Sequence, residues 1–200
     1  MALSLQPRQT QKQAMTPAMW LGLNLLTLPI GELRDAVKRE LDSNPALEVE
    51  VPSSYAVAVT PDVRVNEDGE VEVDQRDVPE LRVSPKYVEL AKDKAQDEET
   101  RAFAAERVKR AREFREAVVK RRETMEKIAE LAIGGQAEFL RKGAVGLRRQ
   151  TMSEVAKRAK CNVATVSRAA ARKYVKTPRG TVPLRKFFAL VDQLTTGFLV

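Results

Sequence analysis

The chain has no histidine and a single cysteine, Cys161, among its 200 residues. No disulfide can close within it, which points to a reducing compartment. Metal sites built from cysteine and histidine are excluded by the same scarcity. A cysteine nucleophile would have no imidazole to activate it, so Cys161 is read as a small core filler. Aromatic residues make up 5% of the chain and charged residues 32%. A large aromatic-rich core is therefore excluded, and helices with narrow apolar stripes fit better. No apolar run reaches the ~18 residues of a membrane span, and the polar start MALSLQPRQTQKQ carries no signal-peptide core. The expected location is cytoplasmic, with no membrane partner. There is no glycine-rich phosphate loop followed by Lys-Ser/Thr, and the carboxylates fall on polar linkers and helix faces. The chain is not read as an enzyme, and neither a cofactor nor a metal is expected.

What is present is charge, unevenly placed. The net charge of +7 favours a polyanionic partner. Between Arg141 and Lys186 basic residues are dense and Glu154 is the only acid, whereas Asp and Glu dominate from Glu48 to Glu80. A basic module behind an acidic linker is a sharper signal than general basicity.

The spacing predicts a mainly α fold. Thr16-Pro17 reads as a cap followed by proline at the first helical position. Leu21, Leu25 and Leu28 share one face of that helix. Pro29 interrupts it. A second helix over about Ile30 to Asp42 carries Ile30, Leu33, Val37 and Leu41 on one stripe, with Glu32 and Asp35 near its positive end. Asn44-Pro45 stops it. Such a helical pair buries too little to stand alone and needs another surface. Residues 1–13 are polar and are expected to order only on a partner. Val63, Val65, Val71 and Val73 alternate around Asp68-Gly69, the pattern of a β-hairpin within an otherwise acidic linker.

SPKYVELAK starts a short helix, and a long one follows from about Asp97 to Ile133, roughly 50 Å at ~1.5 Å per residue. Its stripe runs through Val108, Ala111, Phe114, Val118, Met125, Ile128 and Ala132. A coiled-coil seam is the alternative for this helix, but Arg115 and Arg122 interrupt heptad positions. Gly134-Gly135 is a weak point, after which QAEFLRKG resumes helix up to Gly143.

TMSEVAKRAKCNVATVSRAAARKY has the form of a helix-turn-helix. Thr151 or Ser153 caps the first helix, Lys160-Cys161-Asn162 makes the turn, and the second helix runs from Val163 to about Lys173. Val155, Ala159 and Val166 form the shared core. The second helix of such a motif enters the major groove with its early residues on base edges, here Asn162, Ala164, Thr165, Ser167 and Arg168. Arg168 is the candidate for a bidentate contact to guanine. Arg172, Lys173, Lys176 and Arg179 are the candidates for phosphates. A solvated basic face on a structural helix pair is the bland alternative, and the near-absence of acids argues against it.

Two stretches together resemble the bacterial sigma-54 family of RNA polymerase sigma factors. The first is QAMTPAMWLGLNLLTLPIGELRDAVKRELDSNPALE, similar to the family's activator-interacting region. The second runs from PDVRVNEDGEVEV through LRVSPKY, RRETMEKIAE, TVSRA and KYVKTPRG to LRKFF. It resembles the later core-binding region, the extra-long helix and the central helix-turn-helix. The resemblance implies promoter DNA, core RNA polymerase and an ATP-driven activator protein as partners, with the ATPase in the activator. It implies that Ser167 and Arg168 meet the promoter's −12 element. Leu21, Leu25, Leu26, Leu28, Leu33 and Leu41 would lie in inhibitory, activator-responsive helices docked on the long helix and the helix-turn-helix.

The expected division is then 1–50 for the activator-interacting and inhibitory region and 51–80 for the acidic linker with its hairpin. Residues 81–143 would hold the short and extra-long helices, 144–188 the helix-turn-helix module and 189–200 a tail. The chain departs from the family pattern in several places. Only Ala46 to Thr60 stands where the family has a core-binding helical segment of over a hundred residues, and the expectation is of a factor without the family's −24-reading domain. Lys160 replaces the turn glycine, Trp20 and Gly22 enter the Gln-rich first helix, and Gly134-Gly135 breaks the long one. A shortened sigma-54-like initiation factor is the leading expectation. The alternative is a truncated regulator that competes with a full-length factor, and a self-associating helical scaffold is a third.

Overall fold

A computed structural model describes residues 15–51, 61–74 and 78–188. Helix α1 (Pro17–Thr27) starts where the sequence placed it, with the Thr16 hydroxyl accepting from the Met19 N–H at 3.2 Å. Proline at position 29 cannot continue the ladder, so Leu28 is extended and α2 (Ile30–Ser43) begins after the bend. Strand β1 (Leu47–Val51) follows. It pairs antiparallel with β4 (Glu80–Val83), setting Leu47 opposite Val83 and Val49 opposite Leu81.

The predicted hairpin forms as β2 (Val63–Val65) and β3 (Val71–Val73), with Val63 opposite Val73 and Val65 opposite Val71. It is not isolated within a linker. A two-stranded hairpin is marginal by itself, and here β2 also pairs in parallel with β5 (Tyr174–Thr177), which pairs with β6 (Gly180–Pro183). The sheet order is β3-β2-β5-β6. The acidic segment and the chain after the helix-turn-helix are therefore one sheet.

Helix α3 (Pro85–Leu90) leads into α4 (Glu98–Ile133), whose 36 residues span about 54 Å at ~1.5 Å each. The Asp97 carboxylate caps it by accepting from the Thr100 N–H at 2.7 Å. The helix stops at Gly134. A Cβ there would lie 2.7 Å from the Glu130 carbonyl oxygen, so only glycine fits this close turn. Helix α5 (Ala137–Lys142), a short 3-10 turn, α6 (Met152–Ala159), α7 (Val163–Ala170) and a 3-10 turn at Leu184–Phe187 complete the described chain.

Helix α4 serves two cores. Val108, Ala111, Phe114 and Ala117 in its first half pack with Leu25, Ile30, Leu33, Val37, Leu47 and Leu81. Met125, Ile128, Ala129 and Ala132 in its second half pack with the helix-turn-helix and the four-stranded sheet. The stripe that a coiled coil would have used is thus covered by the chain's own elements. Arg115, the heptad breaker, donates to the Leu81 carbonyl at 2.9 Å. Arg122 pairs with Glu126 at 3.1 Å. Among the described residues no helix is long and apolar enough to cross a membrane. The expected tail at 189–200 and the partner-ordered segment at 1–13 lie outside the described residues.

Phe187 ties the sheet end to α5. It is fully buried and meets Phe139 edge to face with centroids 5.3 Å apart. Phe187→Ala is expected to cost about 3–5 kcal/mol of stability, read as a lower urea midpoint at unchanged slope. A loss below about 1 kcal/mol would contradict a shared second core.

Candidate nucleic-acid interface

The helix-turn-helix is closed by local chemistry at each corner. Thr151, rather than Ser153, caps α6. Its hydroxyl accepts from the Glu154 N–H at 3.2 Å, and the Glu154 carboxylate accepts from the Thr151 N–H at 2.7 Å. This is a capping box, and it accounts for the lone acid of the basic module. Lys160 ends α6 in the left-handed conformation at φ 55°, the place where glycine is favoured. The Asn162 side chain caps α7 by accepting from the Ala164 N–H at 2.8 Å. Cys161 is half-buried in the turn, and burial raises its thiol above the ordinary value.

Val155, Ala156, Ala159, Val166, Ala169 and Ala170 are buried against α4. That fixes the opposite face of α7. Asn162 and Ala164 are exposed, while Thr165, Ser167 and Arg168 are half-buried. Asn162 precedes α7 as its cap, and the other four lie on α7 at positions that the buried Val166, Ala169 and Ala170 do not occupy. Alongside lies α1. A cleft of about 340 Å³ between α1 and α4 is lined by Met19, Leu23 and Leu26, and Thr165 of α7 sits at its edge.

The candidate phosphate residues separate. Lys176 is exposed on β5. The Arg179 guanidinium donates to the carbonyls of Leu140, at 2.8 Å, and Arg141, tying the β5–β6 turn to the end of α5. Helix α7 ends at Ala170, three residues before the sequence-based limit, so Arg172 and Lys173 lie beyond it. Arg172 turns left-handed at φ 53° and forms a two-point pair with Glu32 of α2 at 2.8 and 3.2 Å. Lys173 is 1% exposed, and its ammonium donates to the Thr27 carbonyl at 2.8 Å and the Ala171 carbonyl at 3.2 Å. The expectation of a solvent-facing phosphate ligand is corrected for Lys173: the pull of its hydrogen bonds is toward the end of α1.

The leucines of the N-terminal pair also separate. Leu25 and Leu33 are buried in the first core, and Leu21, Leu28 and Leu41 pack half-buried against it. Leu26, one residue from Leu25, is buried in the second core. Helix α1 therefore straddles the two. Met15, Met19 and Trp20 point outward, with Trp20 61% exposed.

Sequence reasoning missed the charged centre beneath this arrangement. Asp62, just before β2, accepts from the Ile30 N–H at 2.9 Å and the Tyr174 N–H at 3.2 Å. Arg121 of α4 lies 3.7 Å from it and donates to the Leu25 and Leu28 carbonyls at 3.0 and 2.9 Å. Burial raises the Asp62 carboxyl above its ordinary value, opposed by the Tyr174 amide and by Lys173 and Arg121. Burial also lowers the Arg121 guanidinium, opposed by Asp62. A signal did exist. Arg121 falls in phase with the apolar stripe, three residues after Val118 and four before Met125, where a charge must be partnered. Among the described residues no group of three or more Cys, Asp or Glu could hold a metal.

Residues 4–49 match a family model described as the sigma-54 factor activator interacting domain, and residues 101–197 match the sigma-54 DNA binding domain. The RNA polymerase sigma-54 factor of Pseudomonas putida is 30% identical over 161 residues, covering 79% of this chain and 32% of that protein. The corresponding factor of Cereibacter sphaeroides is 38% identical over 132 residues, covering 64% of this chain and 29% of that protein. The chain thus spans about a third of the length of the curated relatives it matches. A crystal structure of Aquifex aeolicus sigmaN bound to promoter DNA is 28% identical with a TM-score of 0.49, covering 68% of this chain and 42% of that one.

The buried ammonium makes a prediction. Burial lowers Lys173 from 10.5 to about 8. The folded chain releases this proton near pH 8 and the unfolded chain only near 10.5, so between those values the unfolded state binds more protons and stability rises with pH. Lys173→Met lacks that gain. The stability of wild type relative to Lys173→Met should be constant below about pH 8 and increase toward pH 10.5. A difference that stays flat across the window, measured by urea denaturation, would contradict the buried position.

Proposed function

The chain belongs to the sigma-54 family, and from that membership we propose that it is a promoter-binding transcription initiation factor whose α7 reads the −12 element. One observation carries the reading. Helix α1 of the activator-interacting match packs on α4 and touches α7 of the DNA-binding match. The two matched regions thus form one unit, with the N-terminal pair beside the outward face of the recognition helix.

The roles follow from the positions. Asn162, Ala164, Thr165, Ser167 and Arg168 face base edges, with Arg168 bidentate to a guanine. Lys176 supports them from β5 by holding a phosphate. The Leu21, Leu25, Leu26, Leu28, Leu33 and Leu41 face holds the N-terminal pair in place until an ATP-driven activator engages it. Core RNA polymerase is the third partner. The chain contributes no chemistry of its own, and its work is recognition and restraint.

A second reading has its own support. Only residues 50–100 lie between the two matched regions. Their described part forms β-strands and α3, which lie on α4 together with the N-terminal pair. A factor built this way, without the helical anchor of its family, would compete with a full-length factor for promoters or activators. Added to a transcription reaction driven by a full-length sigma-54 factor, it would lower the output, and unchanged output at excess protein rejects competition.

The primary test is fluorescence anisotropy with a −12-type promoter duplex and a scrambled duplex at matched salt, because non-specific affinity is strongly salt-dependent. Preference for the promoter is expected, and equal affinity contradicts the reading. Arg168→Ala should cost about 1–3 kcal/mol on the promoter and leave scrambled DNA nearly unchanged. A loss that is equal on both would make Arg168 a phosphate contact.

A further inference from the structure

The first core leaves a cavity that DNA recognition does not use. It measures about 210 Å³ and lies between the start of α2, strand β4 and the middle of α4. Its buried lining is apolar, with Ile30, Leu33 and Leu81. Its exposed lining is charged, with both signs present. Arg115 and Arg122 stand on α4, Glu50 on β1 and Glu80 on β4. Arg121 also borders the cavity, with its guanidinium engaged on the Leu25 and Leu28 carbonyls.

The opposite charges at this rim do not neutralise one another. Arg115 donates through Nε to the Leu81 carbonyl at 2.9 Å. That bond fixes the guanidinium plane and leaves its two terminal nitrogens, a pair suited to grip a carboxylate. Arg122 pairs with Glu126 of its own helix at 3.1 Å. Glu48 takes Arg82 at 3.0 Å, whereas among the described residues Glu50 and Glu80 have no ion-pair partner. The nearness of these two acids has a backbone cause. Val49 faces Leu81 and Val51 faces Glu80, so the β1–β4 register shifts with Glu50 as the extra residue. Bulges of this kind re-aim a side chain and are frequent beside functional sites. Here the bulge brings Glu50 to the rim that Glu80 lines.

We propose that this cavity binds a free α-amino acid with an apolar side chain. The side chain lies on Ile30, Leu33 and Leu81, the carboxylate takes the terminal nitrogens of Arg115, and the ammonium takes Glu50 and Glu80. Size and charge select this class. The volume falls below the roughly 300–1,000 Å³ of sites for drug-sized ligands, so a nucleotide or a large cofactor does not fit. A fatty carboxylate would meet two uncompensated glutamates, and an alkylamine would meet the arginines. Neither matches a rim of both signs. A polar amino acid would leave its side-chain groups unpaired against the apolar lining. Among the described residues α7 contributes nothing to the cavity, so the proposal is independent of DNA binding. The ligand touches α2, β4 and α4 together, which links the stability of the first core to amino-acid concentration.

The test is isothermal titration calorimetry of the full chain with L-leucine and two analogues of similar shape. Isocaproate lacks the ammonium, and isoamylamine lacks the carboxylate. Leucine should bind and raise the thermal midpoint. It should bind at least about tenfold more tightly than either analogue, since each lacks one charged hydrogen-bonding group. Glu80→Gln should weaken leucine and spare isocaproate. Arg115→Gln should weaken both.

Val119 borders the same cavity and is 42% exposed, so Val119→Trp obstructs the entrance without entering the core. It should abolish leucine binding with an unchanged circular dichroism spectrum. If that spectrum changes, Glu50→Gln on an exposed side chain carries the comparison, with a drop of about tenfold in affinity. No leucine binding at millimolar concentration would overturn the proposal. Equal affinity for leucine and isocaproate would also overturn it, because the cavity would then take any apolar body. So would leucine binding that survives Val119→Trp, which places the ligand elsewhere.

Discussion

One buried carboxylate joins the parts of this molecule that sequence keeps far apart. Asp62 stands before β2 and accepts from the first amide of α2 with one oxygen and from the first amide of β5 with the other. Arg121 of α4 lies beside it, and Lys173 is close enough to act on its charge. The N-terminal pair, the hairpin, the long helix and the chain leaving the helix-turn-helix thus meet at a single acid. Such a centre fixes geometry more than it adds stability. Desolvation opposes each charge, and removing one partner leaves the others buried without compensation, at about 3–5 kcal/mol.

Around this centre the molecule divides along α4. Toward the start of the helix, Glu40 makes a two-point pair with Arg110 at 2.6 and 2.7 Å, and the buried Asn44 side chain donates to the Arg107 carbonyl at 3.2 Å. With the β1–β4 pairing, these contacts hold the far end of α2 against α4. At the other end, the bend between α1 and α2 is held by charges that burial disfavours. The N-terminal pair is therefore held at residues 40–47 by Glu40 and Asn44 and at residues 25–30 by Arg121, Lys173 and Asp62.

Local signals carry much of this fold. The Thr16-Pro17 cap, the Pro29 break, the Asp68-Gly69 turn and the long stripe of α4 each sit in a few consecutive residues, and each produces the element expected. The helix-turn-helix is legible for the same reason. Long-range pairing is not. Nothing near Val63 announces that it lies parallel to Val175, so the pattern alone puts the hairpin in a linker and leaves residues 174–183 inside the helix-turn-helix module with no strands assigned. The same blindness hides the partners of two cations. Lys173 and Arg179 are legible as charges, but their partners, the Thr27 and Leu140 carbonyls, lie in other elements. Arg121 is the exception, since a charge in phase with an apolar stripe demands a buried partner by its position alone.

Hydrogen exchange on Asp62→Ala tests the central claim most directly. If Asp62 holds the N-terminal pair to the rest, peptides covering residues 17–33 should lose protection sharply while those covering α6 and α7 keep most of theirs. Unchanged protection over residues 17–33 would contradict the account, because α1 and α2 would then be held without the shared carboxylate.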